Sequence, residues 1–403
     1  MLSTRVFISQ CRSLKKQWRQ GLSSREYSND KSSNEGTDEI KDEGPNLTEL
    51  LRGAANFNES TDKTWATTPY PEGAPSVPEG EEISKPKMDP LDTSVLLFPG
   101  QGILKVGAVS KYMKFPRVKE LFESANSALG YDLEKLCLHG PQSQLNRTEF
   151  NQPATVVASL AALERLWEER PRAIETCKVA AGYSVGELTA LVFSGAIEIE
   201  DAIRLAAVRG AAMQKASQKC PQGMIFAFCS AKAKIVDICK DAQAWATDLG
   251  IENPICRIAV YLYTQGKVLA GNEEALRYIE KNGESLGLRR LKRLPVSGAF
   301  HTELMEPALD PFRKALASIQ LEEPRIEVYS NVKAQPYKSS RDIKKFLPKQ
   351  IVAPVKWEQT LQKIYERPLE TPFPRTFDLG SNGTMKIILK NLNAKAWDSC
   401  FEV

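Results

Sequence analysis

The chain has 403 residues, of which 42% are hydrophobic, and a formal net charge of +4. This length suits two or three average domains, or one α/β domain with an insertion, and no apolar run approaches the ~18–20 residues that a membrane span needs. Residues 1–27 hold six basic residues and one acidic residue, whereas the rest of the chain holds 48 basic and 49 acidic residues. Because a nucleic-acid-binding protein usually has a basic face, this near-neutral body predicts no nucleic-acid partner.

Residues 1–27 are rich in Arg and Ser and contain no acidic residue before Glu26. Phe7, Leu14 and Trp18 give the segment an apolar side, but it lacks the 7–15-residue apolar centre of a secretory signal. This composition predicts a mitochondrial presequence, and a disordered basic arm is the alternative. The eight cysteines include no Cys-x-x-Cys pair, which favours a reduced compartment such as the mitochondrial matrix over a disulfide framework.

Residues 28–90 are polar and acidic and contain seven prolines. Such a segment cannot bury enough apolar surface to offset the entropy of ordering it, so it predicts a disordered linker. One short stretch, at residues 46–57, has leucines spaced for a single helical face.

The globular body begins at residue 91 with an alternation of strand and helix patterns. Residues 95–98 form a short apolar run that ends in Pro-Gly, and residues 117–128 have a helical pattern. A second buried strand is predicted at 178–181, with a helix after it at 187–195. This order predicts an α/β fold with a mostly parallel sheet and helices on both faces.

From residue 221 to residue 294 the pattern changes to short strands interleaved with two helices. This order predicts a small α+β subdomain inserted into a larger one, which comprises residues 91–220 and 295–403. No internal repeat is visible in the sequence.

A Gly-x-Ser-x-Gly motif spans residues 182–186, with Ser184 at its centre. The motif lies between a predicted strand and a predicted helix, which is the setting in which a sharp turn exposes a nucleophilic Oγ. The N-terminus of the following helix offers free N–H groups and the positive end of a dipole. A nucleophile is favoured over a purely structural turn, which stays the alternative.

A serine nucleophile needs a base, most often a histidine, and the chain has two histidines, His139 and His301. His301 follows a strand-like run, whereas His139 lies in a polar, loop-like stretch, so His301 is favoured. No acidic residue between Ser184 and His301 has a recognisable motif that would mark it as the third member of a triad.

Two further features have functional and structural interpretations. An oxyanion hole needs two N–H donors, for which the Val185 amide and the turn at residues 100–102 are candidates. For residues 100–102 an ordinary strand-to-loop turn is the alternative.

Arg209 flanks the apolar face of a predicted helix. It is either a solvated side chain or a buried clamp for a substrate carboxylate.

Six motifs in this order resemble the malonyl-CoA:acyl carrier protein transacylases, in particular the mitochondrial form. Together they cover about residues 93–395, which makes the set far more specific than Gly-x-Ser-x-Gly alone. The motifs are FPGQG (98–102), GYSVGE (182–187), VRGAAMQKAS (208–217), QGKVLAG (265–271), PVSGAFHTELMEPA (295–308) and KQIVAPVKWEQT (349–360).

The resemblance implies a role for each matching residue. Ser184 would be the acylated nucleophile and His301 the general base, with the main-chain amides of Gln101 and Val185 as the oxyanion hole. It also implies a hydrolase-like α/β core with an inserted ferredoxin-like subdomain.

Further along the motifs, Arg209 would pair with the malonyl carboxylate. Gln350 would orient the histidine with its main-chain carbonyl, which accounts for the missing acidic residue, and Phe300 resembles the Phe of malonyl-selective members. The sequence departs from the family at Tyr183, where many members have His, and at DLGSNGTM, which replaces a Gly-Pro-Gly turn.

The resemblance implies a ping-pong transfer of malonyl from malonyl-CoA to acyl carrier protein in mitochondrial fatty acid synthesis. It implies a monomer with no metal and no redox cofactor. A serine esterase or thioesterase that uses Ser184 and His301 with water is the alternative. A non-catalytic acyl-carrier-binding or RNA-associated mitochondrial protein is a third, less favoured hypothesis.

Overall fold

The computed structural model of the protein describes residues 90–368 and 370–403. The predicted presequence, the predicted helix at 46–57 and all but the last residue of the 28–90 linker lie outside the described residues. Within the described ranges the strands are β1 (Ser94–Phe98), β2 (Cys177–Gly182), β3 (Gln222–Cys229), β4 (Cys256–Tyr261), β5 (Gly266–Asn272), β6 (Leu288–Arg293), β7 (Glu327–Ser330), β8 (Gln335–Pro336), β9 (Val355–Lys356), β10 (Arg375–Asp378) and β11 (Cys400–Glu402).

Helices separate most of these strands, and four short 3-10 helices accompany them within residues 90–368 and 370–403. The α-helices in the described part of the chain are α1 (Pro116–Leu129), α2 (Leu133–His139), α3 (Gln142–Asn146), α4 (Thr148–Glu169), α5 (Pro171–Glu175), α6 (Gly186–Phe193), α7 (Ile199–Ser217), α8 (Ile235–Asp248), α9 (Glu273–Asn282), α10 (Leu309–Ala317), α11 (Ser340–Phe346), α12 (Trp357–Tyr365), α13 (Thr384–Lys390) and α14 (Ala394–Asp398). The 3-10 helices are Pro90–Asp92, Ser110–Tyr112, Glu303–Ala308 and Pro348–Ile351.

The first sheet has six strands in the order β11-β10-β1-β2-β7-β8. Its first five strands run parallel, and β8 pairs with β7 antiparallel. The central strand β1 is apolar and buried at every position after Ser94, as expected for a strand covered on both faces. The predicted α/β fold with a mostly parallel sheet is confirmed.

The second sheet has five strands in the order β6-β3-β5-β4-β9. Its first four strands and helices α8 and α9 follow one another as β-α-β-β-α-β, the ferredoxin-like arrangement, within residues 222–293. A separate apolar core that includes Ile225, Leu269 and Leu276 packs this unit.

The fifth strand of the second sheet, β9, belongs to the part of the chain that returns after the insertion, and it pairs parallel to β4. A buried ion pair lies beside this junction, with Lys267 Nζ of β5 at 2.8 Å from Glu358 Oε2 of α12. The second sheet is therefore joined to the larger unit by the β4–β9 backbone pairing and by the Lys267–Glu358 ion pair. None of the helices in residues 90–368 and 370–403 combines the length and hydropathy needed to cross a bilayer.

Candidate active site

Ser184 lies in a tight turn between β2 and α6. Its φ is 53°, in the left-handed region that non-glycine residues adopt rarely. Asn331, directly after β7, holds both sides of the turn. Its Oδ1 accepts from the Ser184 N–H at 2.7 Å, and its Nδ2 donates to the Gly182 carbonyl at 2.7 Å. The turn presents the Ser184 side chain at the carboxyl edge of the parallel sheet, where ligands bind in such folds.

The glycines of the motif are required by close backbone contacts. A Cβ atom on Gly182 would lie 2.0 Å from the carbonyl carbon of Gly186, and one on Gly186 would lie 2.4 Å from the Pro99 carbonyl oxygen. A Cβ atom on Gly100 would similarly lie 2.5 Å from the Tyr183 ring. The loop after β1 is thereby packed directly against the turn that carries Ser184.

His301 reaches the serine from the loop that follows the inserted unit. Its Nε2 lies 3.0 Å from Ser184 Oγ, and its Nδ1 lies 2.5 Å from the main-chain oxygen of Gln350. Because a carbonyl can only accept, Nδ1 carries the proton and Nε2 presents its lone pair to the serine hydroxyl. A neutral imidazole in this position can take the serine proton.

The pKa of His301 is lowered to about 3, mainly by burial and secondly by the positive charge of Arg209, against the opposing effect of the hydrogen bond to Gln350. The imidazole is therefore neutral at physiological pH. In contrast, His139 is exposed at the end of α2 and makes no contact with Ser184.

Arg209 lies on α7 with 1% of its surface exposed. Its Nη1 donates to Gln152 Oε1 at 2.7 Å, and its Nη2 donates to Gln350 Oε1 at 2.9 Å and to Ser184 Oγ at 3.1 Å. Its Nε has no partner among the described residues. Burial lowers the pKa of Arg209 to about 10, so the guanidinium stays charged at neutral pH.

Glu187, in the first turn of α6, is fully buried. Its Oε2 accepts from Gln350 Nε2 at 2.9 Å, and its Oε1 accepts from the Tyr337 hydroxyl and from the Asn331 main-chain N–H. Burial raises the pKa of Glu187 to about 8, against the lowering by these hydrogen bonds and by Arg209.

The main-chain amides of Gln101 and Val185 have no acceptor among the described residues. The adjacent Gly102 N–H donates to Asn151 Oδ1 at 3.2 Å, and the adjacent Ser184 N–H donates to Asn331 Oδ1. The Gln101 side chain is fixed by a 3.1 Å bond to Thr148 Oγ1. Two unused N–H groups on adjoining segments are what an oxyanion hole requires.

An apolar pocket opens from Ser184 towards the second sheet. Phe300 and His301 both line this pocket, and 5% of the Phe300 surface is exposed. The other lining residues are Gln101, Gly102, Gln152, Tyr183, Ser184, Met224, Val260, Val268, Leu294, Pro295 and Val296. Met224, Val260 and Val268 come from strands of the second sheet, and Ser184 lies in the turn after β2 of the first sheet, so the pocket lies between the two units.

Of the seven sequence-predicted site residues, Gln101, Ser184, Phe300 and His301 line this pocket. Arg209 and Gln350 bond to Ser184 and His301 respectively, and Val185 directly follows the serine. Sequence reasoning missed Gln152, Glu187, Asn331 and Tyr337. Glu187 stands in the quoted motif, where it was interpreted only as the start of a helix. Asn331 could have been found from its position directly after β7, because polar residues that follow a parallel strand lie at the carboxyl edge of the sheet, where ligands bind.

No group of three or more His, Cys, Asp or Glu residues within the described ranges is placed to hold a metal ion. The site consists instead of one hydroxyl, one imidazole, one guanidinium and the amides around them.

The acyl transferase domain family matches residues 97–372. A protein of Drosophila melanogaster named as a probable mitochondrial malonyl-CoA-acyl carrier protein transacylase is 50% identical over 323 residues, which cover 80% of this chain and 85% of that protein.

Solved structures lead to the same family. The malonyl-CoA-acyl carrier protein transacylase of Coxiella burnetii superposes with a TM-score of 0.69 at 30% identity, covering 78% of this chain and 95% of that one. A malonyl-transacylase in complex with its type II PKS acyl-carrier protein superposes with a TM-score of 0.66 at 28% identity, covering 77% and 94%. The chain therefore belongs to the acyl transferase family, among the malonyl-CoA-acyl carrier protein transacylases.

Proposed function

We propose that this protein transfers a malonyl group from malonyl-CoA to the phosphopantetheine thiol of acyl carrier protein, through a malonyl ester on Ser184. The observation that carries the proposal is a buried cation at a serine–histidine pair: Arg209 Nη2 lies 3.1 Å from the same Oγ that His301 contacts at 3.0 Å. A nucleophile beside a buried guanidinium suits an acyl group that ends in a carboxylate.

In the first half reaction His301 Nε2 removes the Ser184 proton as Oγ attacks the thioester carbonyl. The amides of Gln101 and Val185 stabilise the tetrahedral oxyanion, and the Gln350 carbonyl holds the imidazole in the required tautomer. The C–S bond then breaks and CoA leaves as a thiol, with the proton that His301 carried.

In the second half reaction the phosphopantetheine thiol enters the same site. His301 deprotonates it, the thiolate attacks the malonyl ester, and Ser184 regains its proton as the C–O bond breaks. Throughout, Arg209 holds the malonyl carboxylate and Phe300 lines the space beside the acyl group. Neither half reaction calls for a metal or a redox cofactor.

The alternative is an esterase or thioesterase with the same Ser184 and His301 and water as the acceptor. Arg209 argues against it, because burying an arginine is costly and a hydrolase of neutral acyl groups has no use for one. The relative from Drosophila melanogaster is named mitochondrial, and we place this protein in mitochondrial fatty acid synthesis, in the matrix and as a monomer.

The test is intact-protein mass spectrometry after brief mixing with malonyl-CoA, on wild type and Ser184→Ala. The expected result is a gain of one malonyl group in wild type alone, discharged by added holo acyl carrier protein. Release of free malonate at the rate of CoA release, with no discharge to the carrier, would establish the hydrolase instead.

A further inference from the structure

A continuous chain of hydrogen bonds connects Arg209 to Glu187 through the side chain of Gln350. Arg209 Nη2 donates to Gln350 Oε1 at 2.9 Å, and Gln350 Nε2 donates to Glu187 Oε2 at 2.9 Å. All three side chains are at most 1% exposed. The reaction steps above use the main-chain carbonyl of Gln350, and they use neither its side chain nor Glu187.

The two ends of this chain leave the amide a single orientation. A guanidinium can only donate hydrogen bonds, whereas a glutamine amide has one donating and one accepting end. With Glu187 accepting from Nε2, the amide oxygen of Gln350 must face Arg209. If the amide turned over, its NH2 group would face the arginine and its oxygen would face the carboxylate, so both contacts would be lost.

Glu187 is itself held from its other side. Its Oε1 accepts from the Tyr337 hydroxyl and the Asn331 main-chain N–H, and Asn331 also fixes the turn at Ser184. The position of the carboxylate is therefore tied to the frame that carries the nucleophile. At the arginine, Gln152 and Gln350 engage Nη1 and Nη2 and leave Nε without a partner among the described residues.

We propose that Glu187 is a positioning residue for acyl-group selectivity: through the Gln350 amide it holds the Arg209 guanidinium in the orientation that receives a substrate carboxylate. The assignment rests on the proposed function. It gives Gln350 two separable tasks, because its main-chain oxygen orients His301 and its side chain orients Arg209.

The proposal predicts what Glu187→Gln does. If the new amide turns its oxygen to Gln350, its NH2 group meets the Asn331 N–H; if it turns the other way, its NH2 group meets Gln350 Nε2. Either arrangement opposes two donors. Gln350→Met interrupts the same chain of hydrogen bonds without removing the carbonyl at His301.

The experiment measures the second-order rate constants for Ser184 acylation by malonyl-CoA and by acetyl-CoA, from intact-protein mass. For Glu187→Gln and for Gln350→Met we expect the malonyl-to-acetyl ratio to fall about 10- to 100-fold through a higher malonyl-CoA KM, with a much smaller change in acetylation. The matched control is Glu164→Gln, which neutralises another carboxylate that is 2% exposed, on α4, and should keep the wild-type ratio.

A ratio within about three-fold of wild type in both variants would overturn the proposal, and so would an equal loss of both acylations. The double variant Glu187→Gln/Gln350→Met should lose no more selectivity than the stronger single variant, because both act through one path; multiplied losses would also count against it. Gln350→Met provides the test even if Glu187→Gln does not fold. A failure of the proposed function would show in wild type, as no malonyl adduct at all.

Discussion

The reacting atoms of Ser184 and His301 lie 3.0 Å apart, although the residues are 117 positions apart in the chain and each has a positive φ, 53° and 64° respectively. Such backbone conformations cost free energy and persist where the surroundings impose them. Here the Asn331 side chain fixes the serine amide, and the Ile351 carbonyl accepts from the His301 N–H at 3.1 Å. The serine–histidine distance is therefore set by the backbone before any substrate binds.

The low pKa of His301 predicts a flat acid limb in the pH profile. With a pKa of about 3, the imidazole stays deprotonated at pH 5.5, whereas one with the ordinary value of 6.5 would be mostly protonated and inactive as a base. We expect the rate constant for Ser184 malonylation at pH 5.5 to be within about three-fold of that at pH 7.5. Quenched-flow mixing followed by mass spectrometry measures it, and a titration with a midpoint near 6.5 would contradict the prediction.

Arg209→Ala should separate the two acyl groups. We expect kcat/KM for malonyl-CoA to fall about 10²- to 10³-fold, since the substrate carboxylate is left buried without a partner, while acetyl-CoA is transferred as well as before or better. Steady-state rates with both thioesters provide the measurement. Arg204→Ala, on the same helix with a half-exposed arginine paired to Glu200, is the control and should leave both rates unchanged. Equal losses with the two thioesters would argue against the carboxylate clamp.

Gly182→Ala should prevent the protein from folding stably. The added Cβ would lie 2.0 Å from main-chain atoms of Gly186, and neither segment can move without displacing Ser184. We expect a loss of at least about 3 kcal/mol in the free energy of unfolding, measured by urea denaturation, together with loss of acylation. In Gly223→Ala the nearest atom is the flexible end of Arg293 at 3.3 Å, so this variant should be tolerated. Comparable stability of the two variants would refute the prediction.

The buried pair Lys267–Glu358 should show strong coupling. Lys267→Met leaves the Glu358 carboxylate almost fully buried without its lysine partner. It also removes the 2.6 Å hydrogen bond to the Tyr263 carbonyl, which keeps the one from the Gly266 N–H. We expect this change to cost about 3–5 kcal/mol, and the double variant Lys267→Met/Glu358→Leu to recover part of that loss. Urea denaturation of the two single variants and the double variant gives the coupling energy. Additive losses would show that the pair contributes nothing as a pair.

Much of this architecture could be predicted from residue patterns. The predicted strand at 95–98 and the predicted helix at 117–128 differ by at most one residue at either end from β1 (Ser94–Phe98) and α1 (Pro116–Leu129). Both were predictable because buried strands and amphipathic helices leave strong periodic signals in the sequence. The two-residue strand β9 carries no such signal. Gln152 and Glu187 were missed for another reason: their partners lie 57 and 163 residues away in sequence, so only the folded chain shows what they bind.

Gln350 reaches His301 through a main-chain atom and Arg209 through its side chain. A codon change at position 350 replaces the amide, but every amino acid supplies the carbonyl that orients the histidine. Under the roles proposed above for Gln350, acyl preference can vary over evolutionary time while the groups that transfer the proton are inherited intact. In a site where a carboxylate side chain orients the histidine, one missense mutation removes that group. A main-chain carbonyl survives any substitution at position 350 other than through a change in the backbone, so substrate choice can be selected without loss of the histidine's orientation.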